Sequence, residues 1–381
     1  MASCILYQDD ESSVTLLDIP RSIELIQGDS TKKIISSRPL EQPYPSVEPK
    51  TAKARAKIGE VPLEDLLLQK HLQLALDGLK ETYHGVWCLP RVTAEAGIEK
   101  SRRKRKKEEI STDPNPQEES QTSKLDSTTS DVANVPQSPD SEDHWLFHNP
   151  NSESIYTPND SLRPSARVPP CSTALQGDIA ATLETFNISA PKLNLMTMDP
   201  PWPNRSARRK NAYATSYSTT DIQRLLSSIP VKDHLAEDGL VAVWVTNKVA
   251  FRDLLLEDGG LFDEWGIQLL EEWVWVKVTA NGDMICAVDS SWKKPYEILL
   301  VGRKKGENTK PEQVKRKVIV AVPDLHSRKP NLKVLFEKMM GMEEYEGLEV
   351  FARNLTAGWW AWGNEVFKFQ TDEHWIDETS P

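Results

Sequence analysis

Six short, almost wholly apolar stretches constrain this chain most: LNLMTM (193–198), LVAVWV (240–245), LLEEWVWVKV (269–278), EILLVG (297–302), VIVAV (318–322) and LEVFA (348–352). A strand with a wet face alternates apolar and polar residues; these do not, so they predict a sheet covered on both faces. Helix-like text lies between them, as DIQRLLSSI (221–229), NKVAFRDLLLE (247–257) and NLKVLFEKMM (331–340). Strands alternating with helices predict an α/β domain, here over residues 168–381.

The rest of the chain differs in texture. Residues 1–100 read as a partly ordered accessory region, with short strands at CILY and SVTLLDI. An amphipathic helix at PLEDLLLQKHLQLALDGLK (62–80) packs on a neighbour or offers a stripe to a partner helix. Residues 101–167 read as a linker. Seven of the eight residues from Lys100 to Lys107 are cationic, which suits nuclear import or a solvated charge run. From Glu108 to Asp160 there are twelve acidic residues and one basic, too few apolar groups to offset ordering entropy. The formal net charge of -11 therefore says little about any one surface. Four scattered cysteines without a C-x-x-C pair predict neither a disulfide framework nor a zinc site, and no metal is expected. No apolar run approaches the ~20 residues of a membrane span, and the amino terminus lacks a secretory h-region. A soluble protein of the nucleus, with the cytoplasm as a second location, is the expectation.

Ligands of open α/β sheets bind beyond the carboxyl ends of the strands. The residues expected there are Asp199-Pro200-Pro201-Trp202, Thr246-Asn247, Lys277, Arg353-Asn354 and, after WWAWG, Asn364-Glu365. Two consecutive prolines fix φ and remove two donors, so their carbonyls are expected to point outward without a competing N–H. A carboxylate beside such a carbonyl is an acceptor-only pair, suited to the two N–H groups of an exocyclic amine. Trp202 offers a face for a base; the structural alternative is a rigid loop with a buried tryptophan and a helix-capping aspartate. Held this way, an adenine amine presents its lone pair to an electrophilic methyl through orientation and charge placement. No G-x-G-x-x-G or P-loop pattern supports nicotinamide, flavin or phosphoryl chemistry. Beyond the corner lie Asn204, Arg205, Arg208, Arg209, Lys210 and Tyr213, a basic loop for phosphate, ribose or base, or simply a solvated one. Ser218 with Asp221 marks the next helix start.

With DPPWPNRSARRKNAY, WVTN, KKPYE, LHSRKP and FARNLTAGWWAWGNEVFKFQ in this order, the chain resembles the N6-adenine methyltransferase family of messenger-RNA adenosine methyltransferase catalytic subunits. Within it, the text is most similar to the branch called methyltransferase-like protein four. The resemblance spans roughly residues 175–370. It implies a permuted Rossmann-like methyltransferase domain that uses S-adenosylmethionine and no metal. By motif, Asp199 would anchor the donor's methionine end and position the amine, Pro200 and Pro201 would supply acceptors, and Trp202 would face the base. Asp178, with Ile179 beside it, resembles the contact to the donor's adenine, and Lys294 the lysine near its carboxylate. Arg353 and Asn354 resemble the ribose-contacting pair, and Asn364 and Glu365 further donor contacts. Glu365 departs from the amide of the messenger-RNA writer. Asn247 is placed on the substrate side. Each has a bland alternative: Asp178 as a helix cap, Lys294 on a solvated edge, Arg353 as an ion-pair partner. RNA, a small nuclear RNA above all, is the implied partner, with no obligate protein partner. N6-adenine methylation of DNA and a catalytically silent binding subunit are the alternatives.

Overall fold

The computed structural model describes residues 3–29, 31–45, 61–94, 144–159, 164–203, 218–290, 293–306 and 313–378. The basic run and most of the expected acidic linker lie outside them. Strands β1 (Ile5–Gln8) and β2 (Val14–Leu17) are followed by helix α1 (Ile19–Leu25), β3 (Lys32–Ser36), α2 (Leu63–Thr82) and β4 (Val92–Thr93). Next come β5 (Trp145–His148), β6 (Ile155–Tyr156), β7 (Arg167–Val168), β8 (Thr173–Gln176), α3 (Ile179–Ser189) and β9 (Leu193–Met198). Helices α4 (Thr219–Ser227) and α5 (Val231–His234) precede β10 (Leu235–Val245), and α6 (Val249–Leu256) and α7 (Leu261–Glu264) precede β11 (Ile267–Lys277). The chain continues through β12 (Tyr296–Lys304), β13 (Lys315–Ala321), α8 (Lys333–Met340), β14 (Gly347–Val350), β15 (Trp359–Gly363) and β16 (Trp375–Asp377).

Eleven strands form one sheet in the order β1-β2-β13-β11-β12-β10-β9-β14-β15-β8-β5. Only β12 and the two edge strands, β1 and β5, run against the rest. The remaining strands therefore end on one rim. Both faces are buried, as the apolar runs require. Met196, Met198, Val241 and Val243 pack under Phe186, Ile222, Phe251 and Leu255, while Leu195, Ala242, Trp244 and Trp273 pack against Ile19, Ile23 and Phe336. Alternation along β11 sends Trp273 and Trp275 to one core and Val274 and Val276 to another under α2. The α/β architecture read from the sequence is the one observed, and Ser218 and Asp221 form a reciprocal capping box at α4.

Two segments lie elsewhere than the sequence reading placed them. Strands β1 and β2 belong to the main sheet, because β2 runs parallel to β13 with Val14, Thr15 and Leu16 opposite Val318, Ile319 and Val320, while β3 and β4 form a small sheet with β16. Inside the expected linker, HWLFHNP supplies β5, which pairs antiparallel with β8 and buries Phe147. Among the described residues no helix is long and apolar enough to cross a membrane.

Candidate active site

Strand β9 is buried on both faces and stops where Pro200 and Pro201 can no longer donate to a ladder. This leaves Asp199 at the rim. It lines a cleft of about 700 Å³ together with Pro200, Pro201, Trp202, Thr246 and Lys277. A smaller cavity of about 50 Å³ adjoins it beneath Asp199 and is lined by Glu349 and Asn354. Asp199, Lys329 and Arg353 border both.

A chain of alternating charge crosses the floor. Lys277 meets Glu297 Oε1, and Lys329 Nζ bridges Glu297 Oε2 at 3.0 Å and Asp199 Oδ1 at 2.8 Å. Arg353 lies 3.7 Å from Asp199 Oδ2 and donates through Nε to Glu365 at 3.0 Å, and Lys368 closes the run on Glu365 at 2.6 Å. Burial alone would raise the Glu297 carboxyl, but Lys329 and Lys277 outweigh it and hold it at about 2. Burial would likewise lower Lys329, yet Asp199 and Glu297 keep its ammonium charged well above the usual range. Glu349 is the exception. Burial and the charge of Asp199 push it up to about 7 against the pull of Arg353 and Lys329.

The sequence-predicted residues divide. Asp199, Pro200, Pro201, Trp202 and Arg353 line the cleft, and Asn354 the smaller cavity. Two expectations at the corner need correction. The Pro200 carbonyl does have a competing donor, since the Trp202 N–H reaches it at 2.7 Å; one lone pair remains for a ligand. Trp202 is only 8% exposed, stacks on Phe251 at 4.7 Å and donates its indole N–H to the Trp244 carbonyl at 2.7 Å. It is a fixed wall of the cleft, with little open face. The helix-capping alternative for Asp199 fails, because its oxygens are held by Lys329 and Arg353.

Asp178 caps α3, accepting from the Ala180 and Ala181 N–H groups at 2.9 and 3.4 Å, and Ile179 is core. The cap still stands at the rim. Gly177 donates to the Gly363 carbonyl, so Asp178 and the exposed Asn364 each lie one residue beyond that bond. Gly363 sits at φ +144° with an ideal Cβ 3.1 Å from the Phe351 Cα, which restricts this crossing to glycine. The adjacent ends of β9, β14, β15 and β8 thus present Asp199, Arg353-Asn354, Asn364-Glu365 and Asp178 in sequence, across roughly 14 Å. Asn247 is not among the residues lining this cleft and donates to the Tyr296 carbonyl at 2.9 Å, tying the end of β10 to β12. Lys294 lines neither cavity. The lysine on the aspartate is Lys329, from LHSRKP; three Lys-Pro pairs occur in the chain, and spacing alone does not choose among them. Glu349 and Glu297 were also missed, although a carboxylate inside a buried strand is a signal of use. Asn204, Arg205, Arg208, Arg209, Lys210 and Tyr213 lie outside the described residues.

Similarity to known proteins agrees with this geometry. Residues 193–365 match the family described as MT-A70. The N6-methyladenosine RNA methyltransferase MTA1 of Cryphonectria parasitica is 36% identical over 389 residues, covering 99% of this chain and 95% of that protein. The N(6)-adenine-specific methyltransferase METTL4 of Homo sapiens is 38% identical over 221 residues, 55% of this chain and 44% of that one. A DNA N6-methyl methyltransferase of Caenorhabditis elegans is 31% identical over 207 residues, 54% of each. The full-length relationship, the matched segment that begins with β9 and the cleft at its end lead to one assignment: the chain belongs to the MT-A70 family.

Proposed function

We propose that the chain transfers a methyl group from S-adenosylmethionine to N6 of adenosine in RNA, specifically in a small nuclear RNA at an adenosine that already carries a 2′-O-methyl group. The observation that carries this reading is the placement of Asp199 and the proline corner together in the lining of the 700 Å³ cleft.

The side chains present fit the donor. Asp199 and Glu349 would face its cationic amino-acid end, and Lys329 and Arg353 its carboxylate. Asn354, Asn364, Glu365 and Asp178 would follow its nucleoside along the rim. When bound, it supplies an electrophilic methyl on a sulfonium. Asp199 and the Pro200 and Pro201 carbonyls would accept hydrogen bonds from the two amine N–H groups of the target base. That fixes the direction of its lone pair and places negative charge where the amine becomes cationic. As the methyl arrives and the thioether leaves, the amine releases one proton to solvent. Phe251 behind Trp202, and Lys248 on the Pro203 carbonyl at 2.8 Å, keep the corner from moving. A rigid acceptor pair costs no reorganisation when the reaction occurs.

RNA is preferred over DNA because the relative that spans nearly the whole chain is named for RNA. The Caenorhabditis elegans relative favours DNA as a second reading. The base edge is the same in both; the 2′ substituent separates them. Labelled donor supplied with matched RNA, 2′-O-methylated RNA and DNA oligonucleotides tests the choice. The 2′-O-methylated RNA should give the highest incorporation, and a signal confined to DNA would reverse the order. Nuclear location rests on Lys100–Lys107, and deleting that run should shift a tagged protein to the cytoplasm.

A further inference from the structure

The cleft has a wall that the catalytic strands do not supply. Beyond β3, residues 37–45 cross the rim as an extended strap. Ser37 donates to Asp324 through its N–H at 2.7 Å and its hydroxyl at 3.2 Å. Further along, Ala280 donates to the Leu40 carbonyl at 2.7 Å, Asn281 to the Glu41 carbonyl at 2.8 Å, and the Tyr44 N–H to Ile285 at 2.8 Å. The strap backbone is therefore tied at one end to the loop after β13 and at the other to the turn after β11.

On this fixed backbone Arg38 and Tyr44 are exposed residues, Tyr44 to 55%, and both line the cleft that holds Asp199 and Trp202. The ends of β11 and β9 are three strand spacings apart, roughly 14 Å. Arg38 and Tyr44 thus share one cleft with Asp199 while hanging from a different part of its rim, a placement that suits a nucleotide next to the one seated at Asp199. An aromatic face beside a guanidinium is the equipment for single-stranded nucleic acid: a base stacks on the ring and a phosphate meets the cation. We propose that the strap is a flanking-nucleotide subsite, with Tyr44 stacking a base next to the target adenosine and Arg38 holding the adjoining phosphate. This rests on the methyltransferase reading above and adds the part of the substrate that lies outside the reacting base.

The test compares the full chain with its Tyr44→Ala, Tyr44→Phe and Arg38→Gln variants. The substrates are a single-stranded RNA with one adenosine between randomised flanks and the free nucleoside adenosine, which carries neither a flanking base nor a phosphate. On the long RNA, Tyr44→Ala should raise KM about ten-fold with kcat retained, and Tyr44→Phe should restore it. The advantage of the long RNA over the nucleoside should shrink by the same factor. Arg38→Gln should reduce the slope of log affinity against log salt by about one. Wild-type KM in Tyr44→Ala overturns the subsite and leaves the methyltransferase standing. A joint fall of kcat, donor affinity and melting temperature that phenylalanine does not rescue also overturns it, because the strap is then only structural. A wild type that methylates neither RNA nor DNA removes the underlying reading and the subsite with it.

Discussion

At the scale of single residues the site is a contest over one carboxylate. Asp199 accepts Lys329 at 2.8 Å and faces Arg353 at 3.7 Å, so the catalytic group is held in place by the cations that would also meet a donor carboxylate. Asp199→Asn keeps the shape but loses the charge and one acceptor, and kcat should fall at least ~100-fold. Steady-state kinetics on the preferred oligonucleotide would show it. Glu349 gives a second handle. It is raised to about 7 by burial and by Asp199, so it gains its charge only as pH rises through that value. A cationic ligand favours the charged form. Donor affinity should therefore tighten between about pH 6 and about pH 8, with a proton released on binding at the lower pH. Calorimetry would record this, and Glu349→Gln should flatten the profile. An affinity independent of pH in the wild type would remove Glu349 from the donor site.

At the scale of elements, the loop that carries Lys329 is anchored by a buried ion cluster. Asp324 accepts Arg328 at 2.6 Å and lies 3.8 Å from Arg91, with all three side chains at most 2% exposed. Arg91 also donates to the Val322 and Pro323 carbonyls at 2.8 and 2.7 Å. Asp324→Asn strands two buried guanidiniums, and about 3–5 kcal/mol of stability should be lost. Denaturant unfolding measures it, and a loss under about 1 kcal/mol would show that the cluster is dispensable. The sequence announced the corner better than its partners. Prolines after an apolar run leave few local conformations, so Asp199-Pro200-Pro201-Trp202 was readable as a rigid strand end. The burial of Trp202 was not, because Phe251 stacks on it from a helix 49 positions away in sequence. Lys329 was passed over for Lys294 for a similar reason: the choice is made by how the loop after β13 folds over the rim.

At the scale of the whole molecule, the first two strands and the catalytic strands are one sheet. The individual strands were visible as apolar runs, but their order was not. The pairing of β2 with β13 joins Val14 to Val318, and nothing local to either segment signals it. A fragment beginning at residue 164 would lose β1 to β6, α1 and α2, bare the edge of β13 and uncover Val274, Val276, Val318 and Val320. It should aggregate or melt without cooperativity, as light scattering and calorimetry would show, whereas a soluble fragment that binds donor would mean the amino-terminal part is an accessory. The central claim is chemical, that an acceptor-only corner aims an exocyclic amine at a methyl donor. Mass spectrometry of nucleosides digested from RNA treated with the full chain, in wild-type and Asp199→Asn forms, tests it most directly. The account predicts N6-methyladenosine, or its 2′-O-methylated form, from the wild type and a near-absence of either from the variant. A methyl group on any other atom, or an undiminished yield from Asp199→Asn, would contradict it.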